Sequence, residues 1–358
     1  MSNSYIHRLC KAIPALLLFM CVIRFPVKMG EMRLSMEVLS EIAVVCCIAC
    51  LVYDYNRWIS AFLLLALGSS FVIYGPSSYL AFRAVMYGSI WFYVVARFGT
   101  EKILDIMILI VGINLLFQFC QYADIPTFMK STVSHYYIGL MGNPNEASAL
   151  AAFCFPAVLR RKRWFFFPII LASLILAKCA GGILAASCGM GVFWLYVRPG
   201  IKDRVSIYHF HFAETLFIVI GGVSLCLYMF SGNNMDTYMQ RLEAWKIGLS
   251  VYLKRWVLGY GIGHWKLMFL KPMINGLRWH FAHNEFVQML FEMGIAFPII
   301  LIGYVSSILR RLKTLPMLPV IAVTVIAINA FFNFSMHIAP TAYIAVTWFG
   351  LMECQEVS

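Results

Sequence analysis

Charge is what this sequence most lacks. Only 12% of its 358 residues are Asp, Glu, Lys or Arg, where a soluble domain carries about 25%. So few charges cannot clothe a water-facing surface, which excludes an ordinary soluble domain. The apolar stretches also lack alternation with polar residues, so a membrane β-barrel is excluded. No CxxC pair sits in a polar loop. No A-x-A-like cleavage site follows the apolar run of HRLCKAIPALLLFMCVI, so that run is expected to remain as a first helix and not to be removed as a signal. Low-complexity tracts, internal repeats and a separate soluble domain are all missing. The chain reads as a single transmembrane domain over residues 1–358.

Hydrocarbon is what it has instead. Hydrophobic residues make up 62% of the chain and mean hydropathy is +0.81. Continuous apolar runs must form helices, because lipid offers no partner to a free N–H or C=O. The expected fold is an all-α polytopic membrane protein of about twelve transmembrane helices. Their spans are placed near 9–27, 36–53, 58–75, 78–98, 103–123, 145–160, 164–178, 182–197, 213–231, 283–308, 316–335 and 338–352. An even number puts both termini on one side. The basic clusters Arg160, Arg161, Lys162, Arg163 and Arg310, Arg311, Lys313 fall on that side, which the positive-inside rule makes cytoplasmic. Arg24, Lys28 and Arg33 run against the bias.

The net charge of +12, from 28 Lys and Arg against 16 Asp and Glu, would point to nucleic acid in a soluble chain. In a membrane chain it reads as anchoring to membrane lipids and attraction of an anionic lipid or phosphate, with no nucleic-acid partner. Most of the 11 cysteines, such as Cys46, Cys47, Cys50 and Cys188, lie in apolar runs and read as small polarizable packing residues.

Three polar features share the outer side. The first is GLMGNPNEASAL. Asn143 before Pro144 is a helix start, and the positive helix end either is simply capped or faces an anion, with Asn145 and Glu146 lining it. The second is AKCAGG, where Lys178 either snorkels to the interface or contacts a phosphate. The third is a long loop between the ninth and tenth helices, expected over 232–282. It contains no Cys and needs no oxidative folding. Arg241 and Trp245 share one face of a short helix within it. That helix is either interfacial or a phosphate site, for which Arg has the better shape. Gly259, Gly261 and Gly263 have no βαβ context, so a dinucleotide loop is rejected and a fold-back turn expected.

HFAHNEF then leads into the tenth helix. His280 and His283, with His264 and Glu285 near, have neither an HExxH pattern nor a second carboxylate at ligand spacing; no metal and no cofactor is expected. Two readings remain. His283 and Asn284 cap the next helix, or His283 is a general base kept neutral by the positive helix end.

GNPNEASAL, RLEAW, WVLGYGIGHW and AHNEFVQMLFEMG, in this order among hydrophobic helices, resemble the O-antigen ligase and polymerase superfamily. The resemblance covers roughly residues 135–310. It implies an integral-membrane, inverting, metal-independent glycosyltransferase of the bacterial inner membrane, with its site facing the periplasm. The implied donor is an undecaprenyl-diphosphate-linked glycan. The implied acceptor is lipid A–core for a ligase, which the basic loop favours, or a lipid-linked glycan for a polymerase. By the same resemblance His283 matches the essential His, Arg241 the loop Arg at the donor diphosphate, and Glu292 and Gly294 an E-x-G continuation of the helix. Lys178 stands where relatives carry an Arg, and Lys254, Arg255 and Arg278 are alternatives for that second cation. A lipid-linked oligosaccharide transporter is the competing class. It should show paired broken helices and mid-membrane ionisable residues, whereas the polar residues here gather at one edge.

Overall fold

A computed structural model describes residues 44–70, 76–99, 101–127, 137–160, 163–197, 232–268 and 280–354. Among these residues every regular element is helical. In order they are α1 (Val44–Tyr53), α2 (Arg57–Ser70), α3 (Pro76–Phe98), α4 (Lys102–Tyr122), α5 (Pro144–Val158), α6 (Phe167–Ala177), α7 (Ala180–Val197), α8 (Gly232–Tyr252), α9 (Trp265–Met268), α10 (Glu285–Met293), α11 (Ala296–Arg311), α12 (Met317–Phe332) and α13 (Ala339–Glu353). The expected spans at 9–27 and 213–231, the start of the one at 36–53, and Arg278 lie outside the described residues.

The helices pack around α5, which is buried from Ala147 through Leu159. Its sequence explains this position. Asn143 caps it, Pro144 opens it, and alanines then let neighbours come close. α4, α6, α7, α12 and α13 all lie against it. A Cβ on Gly182 of α7 would overlap the Ser148 hydroxyl, and one on Gly189 would overlap Val325 of α12. Trp348 of α13 donates its indole N–H to the Phe153 carbonyl at 2.7 Å. A second group of helices, α1, α2 and α3, packs with α11 and α13 at the side of this core.

Only α4, among the described residues, is both long and apolar enough to cross a membrane. Its 21 residues rise about 32 Å, close to a hydrocarbon core of about 30 Å. Its outward face carries Ile106, Leu109, Ile113 and Leu116, all exposed.

Two expectations need correction. The span at 283–308 is two helices, not one. Gly294 ends α10 at φ 71°, its position fixed by close contact with Val257 and Gly259. At nine residues α10 is only about 14 Å long, too short to cross a membrane. In addition, 232–282 is not an extended loop throughout: it opens with α8, which is helical from Gly232 to Tyr252.

The two ends of the bundle differ. At one end Arg163 pairs with Asp105, Arg160 with Glu101, and Arg311 grips Glu353 with two bonds of 2.8 Å. At the other end lie the starts of α5, α7, α10 and α13 and the finish of α12.

Candidate functional site

That second end gathers the three polar features. Asn143 accepts the Asn145 N–H at 2.8 Å and so caps α5. Asn145 in turn accepts from the Cys179 thiol at 2.9 Å, and Ser148 donates to the Cys179 carbonyl at 3.3 Å. The start of α7 is thereby held beside the start of α5. Two helix N-termini together present unsatisfied N–H groups and positive dipole ends to one spot.

Arg241 reaches this place from α8. It is 9% exposed and donates from Nη1 to the Phe332 carbonyl at 3.0 Å. Its charge acts on both Cys179 and His283. Asn333 follows at the end of α12. It is buried against Gly181, and its Nδ2 donates to no acceptor among the described residues.

His283 sits in the turn before α10, with φ 52°. A non-glycine residue there is held in a sparsely populated region, at a cost of about 1–2 kcal/mol. Three contacts hold it. The Trp245 indole donates to the Ala282 carbonyl at 2.6 Å, Asn284 caps α10 by accepting the Val287 N–H at 3.0 Å, and the ring meets Phe334 edge-on at 4.6 Å. Burial, and secondarily the Arg241 charge, lower the imidazole to about 3. It is neutral at pH 7. Burial, and not the positive helix end, is the larger cause of that neutrality.

The glycine turn holds the site together from below. Tyr260 and Gly261 donate their N–H groups to the Phe291 and Glu292 carbonyls at 3.0 and 2.8 Å. The buried Glu292 carboxylate accepts from Gly263 N–H at 2.9 Å, from Trp265 N–H at 3.1 Å and from Gln288 at 3.2 Å. Glu292, in the last turn of α10, and Gly294, which ends that helix, therefore also latch the loop.

Other candidates stand elsewhere. Lys178, exposed and left-handed at φ 51°, places its ammonium over the Tyr137 ring at 5.2 Å. Arg255, with Lys254 beside it past the end of α8, stacks over Tyr260 at 5.4 Å. Among the described residues no three His, Cys, Asp or Glu side chains converge as a metal set.

Sequence reasoning missed Asn333, Gln288 and His337. His337 Nδ1 lies 2.9 Å from Glu285, its Nε2 lies 2.9 Å from the Gln288 amide, and Gln288 also accepts the Ala282 N–H at 3.1 Å. Burial would lower this imidazole, but the Glu285 and Glu292 carboxylates outweigh burial and raise it. The Gln288 amide, donating to Nε2, favours a neutral ring. Two carboxylates act on the ring against this one amide, so the raised direction stands. The signal was FNFSMH, a polar break between two apolar runs. No known family model matches this chain, and no curated protein matches it.

Proposed function

We propose that this chain is a multi-pass membrane glycosyltransferase of the kind its motifs resemble. It moves a glycan from undecaprenyl diphosphate to an acceptor hydroxyl at the periplasmic face of a bacterial inner membrane, with both termini cytoplasmic. The observation that carries this reading is the meeting of buried Arg241 with neutral His283 beside the N-termini of α5 and α7. A cation site and a base in one place suit transfer from a phosphate-activated donor. The exposed apolar face of α4 and the outward side chains Ile299, Ile302 and Leu309 of α11 support a bilayer around the bundle. The count of about twelve spans belongs to this proposal, with α10 as a half-helix entering the membrane edge.

In this mechanism the donor diphosphate lies against Arg241, and the Asn333 amide is a second donor within reach of the same place. The acceptor oxygen attacks the sugar C1 as the bond from C1 to the diphosphate oxygen breaks. The anomeric centre inverts, and the diphosphate leaves with the bond's electron pair. Fixed donors stabilise that growing charge. His283 takes the acceptor's proton. Its low basicity is partly set by Arg241. A bound diphosphate neutralises that charge and brings the base closer to the operating pH, where general bases work best.

The acceptor is lipid A–core if the enzyme is a ligase and another lipid-linked glycan if it is a polymerase. Purified protein is mixed with donor and either acceptor, with and without chelator. Product on lipid A–core identifies a ligase, and longer lipid-linked chains a polymerase. Loss of activity in chelator overturns the metal-free chemistry. Donor binding or translocation with no product in either mixture favours the transporter instead.

A further inference from the structure

A cleft of about 630 Å³ opens between α2, α3, α11 and α13, away from Arg241 and His283. Its volume is that of a ligand site. Phe62, Phe92, Phe297 and Val346 line its length, and its mouth is rimmed by exposed apolar side chains such as Leu80 and Tyr343. A cleft that opened to water would have a polar rim. One end is different: Gln288 and His337 meet there at 2.9 Å, and Lys266 and His280 also line the cleft. The two carboxylates behind that end are already engaged. Glu285 accepts the Met336 N–H at 2.8 Å and pairs with His337, and Glu292 holds the glycine loop. Among the residues that line the cleft Lys266 is the one Lys or Arg, and His280 and His337 add two imidazoles to the same lining.

Neither Arg241 nor His283 is among the residues that line the cleft. The Phe334 ring stacks on Phe281, which lines the cleft, at 4.5 Å, and meets His283 with its other neighbourly contact at 4.6 Å. We infer that this cleft binds a phosphate-headed lipid of net negative charge, its head at Lys266, His280 and His337 and its chain between α3, α11 and α13, distinct from any ligand at Arg241. The inference does not depend on glycosyl transfer.

The test uses the full chain in nanodiscs containing equal parts phosphatidylglycerol and phosphatidylcholine, followed by native mass spectrometry of the lipids retained. Phosphatidylglycerol should be retained preferentially. Lys266→Gln should reduce that preference by about tenfold, as one charge-assisted contact would. Gly88→Phe should reduce retention of both lipids. A Cβ at Gly88 meets only a Val346 methyl, at an ordinary 3.7 Å, so the backbone tolerates the change while the ring fills the cleft. Inorganic phosphate should not displace the lipid. Equal retention of both lipids, indifference to both substitutions, or displacement by inorganic phosphate alone would each overturn the inference.

Discussion

Two histidines occupy neighbouring turns at the same end of this bundle and are driven in opposite directions. Burial lowers the pKa of both. His283 has Arg241 as its charged neighbour and falls to about 3, whereas His337 has Glu285 and Glu292 and rises. Burial is the larger cause for His283, with Arg241 adding to it, whereas at His337 the carboxylates together reverse it. The turn before α10 sets a buried histidine beside a cation, and the turn between α12 and α13 sets one beside carboxylates. Gln288 touches both, accepting from Ala282 and meeting His337.

The largest effect that would break this contrast comes from Arg241. Arg241→Ala should reduce transfer by about 10²–10³-fold, as loss of one preorganised donor to a developing anion does. It should also raise the His283 pKa, because a lowering charge is gone, and imidazole resonances from labelled histidine would report the rise. If the activity falls and the pKa stays, Arg241 serves the substrate alone. His283→Ala should cost about 10²–10⁴-fold, the range of a general base; full activity in that variant removes it from the chemistry.

A smaller effect lies in the latch beneath both turns. Glu292→Ala strips the acceptor from the Gly263 and Trp265 N–H groups. Leaving these buried donors unmet should destabilise the protein by roughly 2–4 kcal/mol, read as a lower midpoint in thermal unfolding. Gly294→Ala should lose about 1–3 kcal/mol, since φ 71° strains any other residue and its Cβ would strike the Val257 carbonyl.

The pH dependence of stability separates the two histidines directly. The folded pKa of His283 is depressed, so its contribution is present above the unfolded value of about 6.5 and is lost as pH falls toward about 3. The folded pKa of His337 is raised, so its contribution is complete below about 6.5 and is lost as pH rises through its folded value. His283→Gln should therefore flatten the acid side of the profile, and His337→Gln the alkaline side. The reverse pattern would undo the contrast.

How much of this was legible in the sequence follows from how far each cause acts. Asn143 and Asn284 announce helix starts because a cap bonds two or three residues ahead. The helical class is legible from apolar runs alone. The break at Gly294 was not, because the apolar pattern continues through MGIAFPII, and only Val257 and Gly259, distant in the chain, impose the turn. α8 was legible only in part: the shared face of Arg241 and Trp245 announced a short helix, but polar flanks hid its full span from Gly232 to Tyr252. His337 was overlooked because a lone histidine between two spans looks interfacial until Glu285 is seen against it.

The smallest effect concerns Lys178, which adopts the left-handed conformation at the end of α6 that glycine usually takes. Lys178→Gly removes the strain but adds chain entropy to the unfolded state, so stability should rise by only roughly 0.5–1 kcal/mol. Activity is the sharper readout. If the ammonium leaves Tyr137 to meet a bound diphosphate, the variant becomes more stable and yet binds donor more weakly, raising KM while kcat holds. If Lys178 is only a C-cap stacked on Tyr137, stability rises and KM does not move. A second cation at the site would then have to come from elsewhere, and the comparison of the two turns would stand on Arg241 alone.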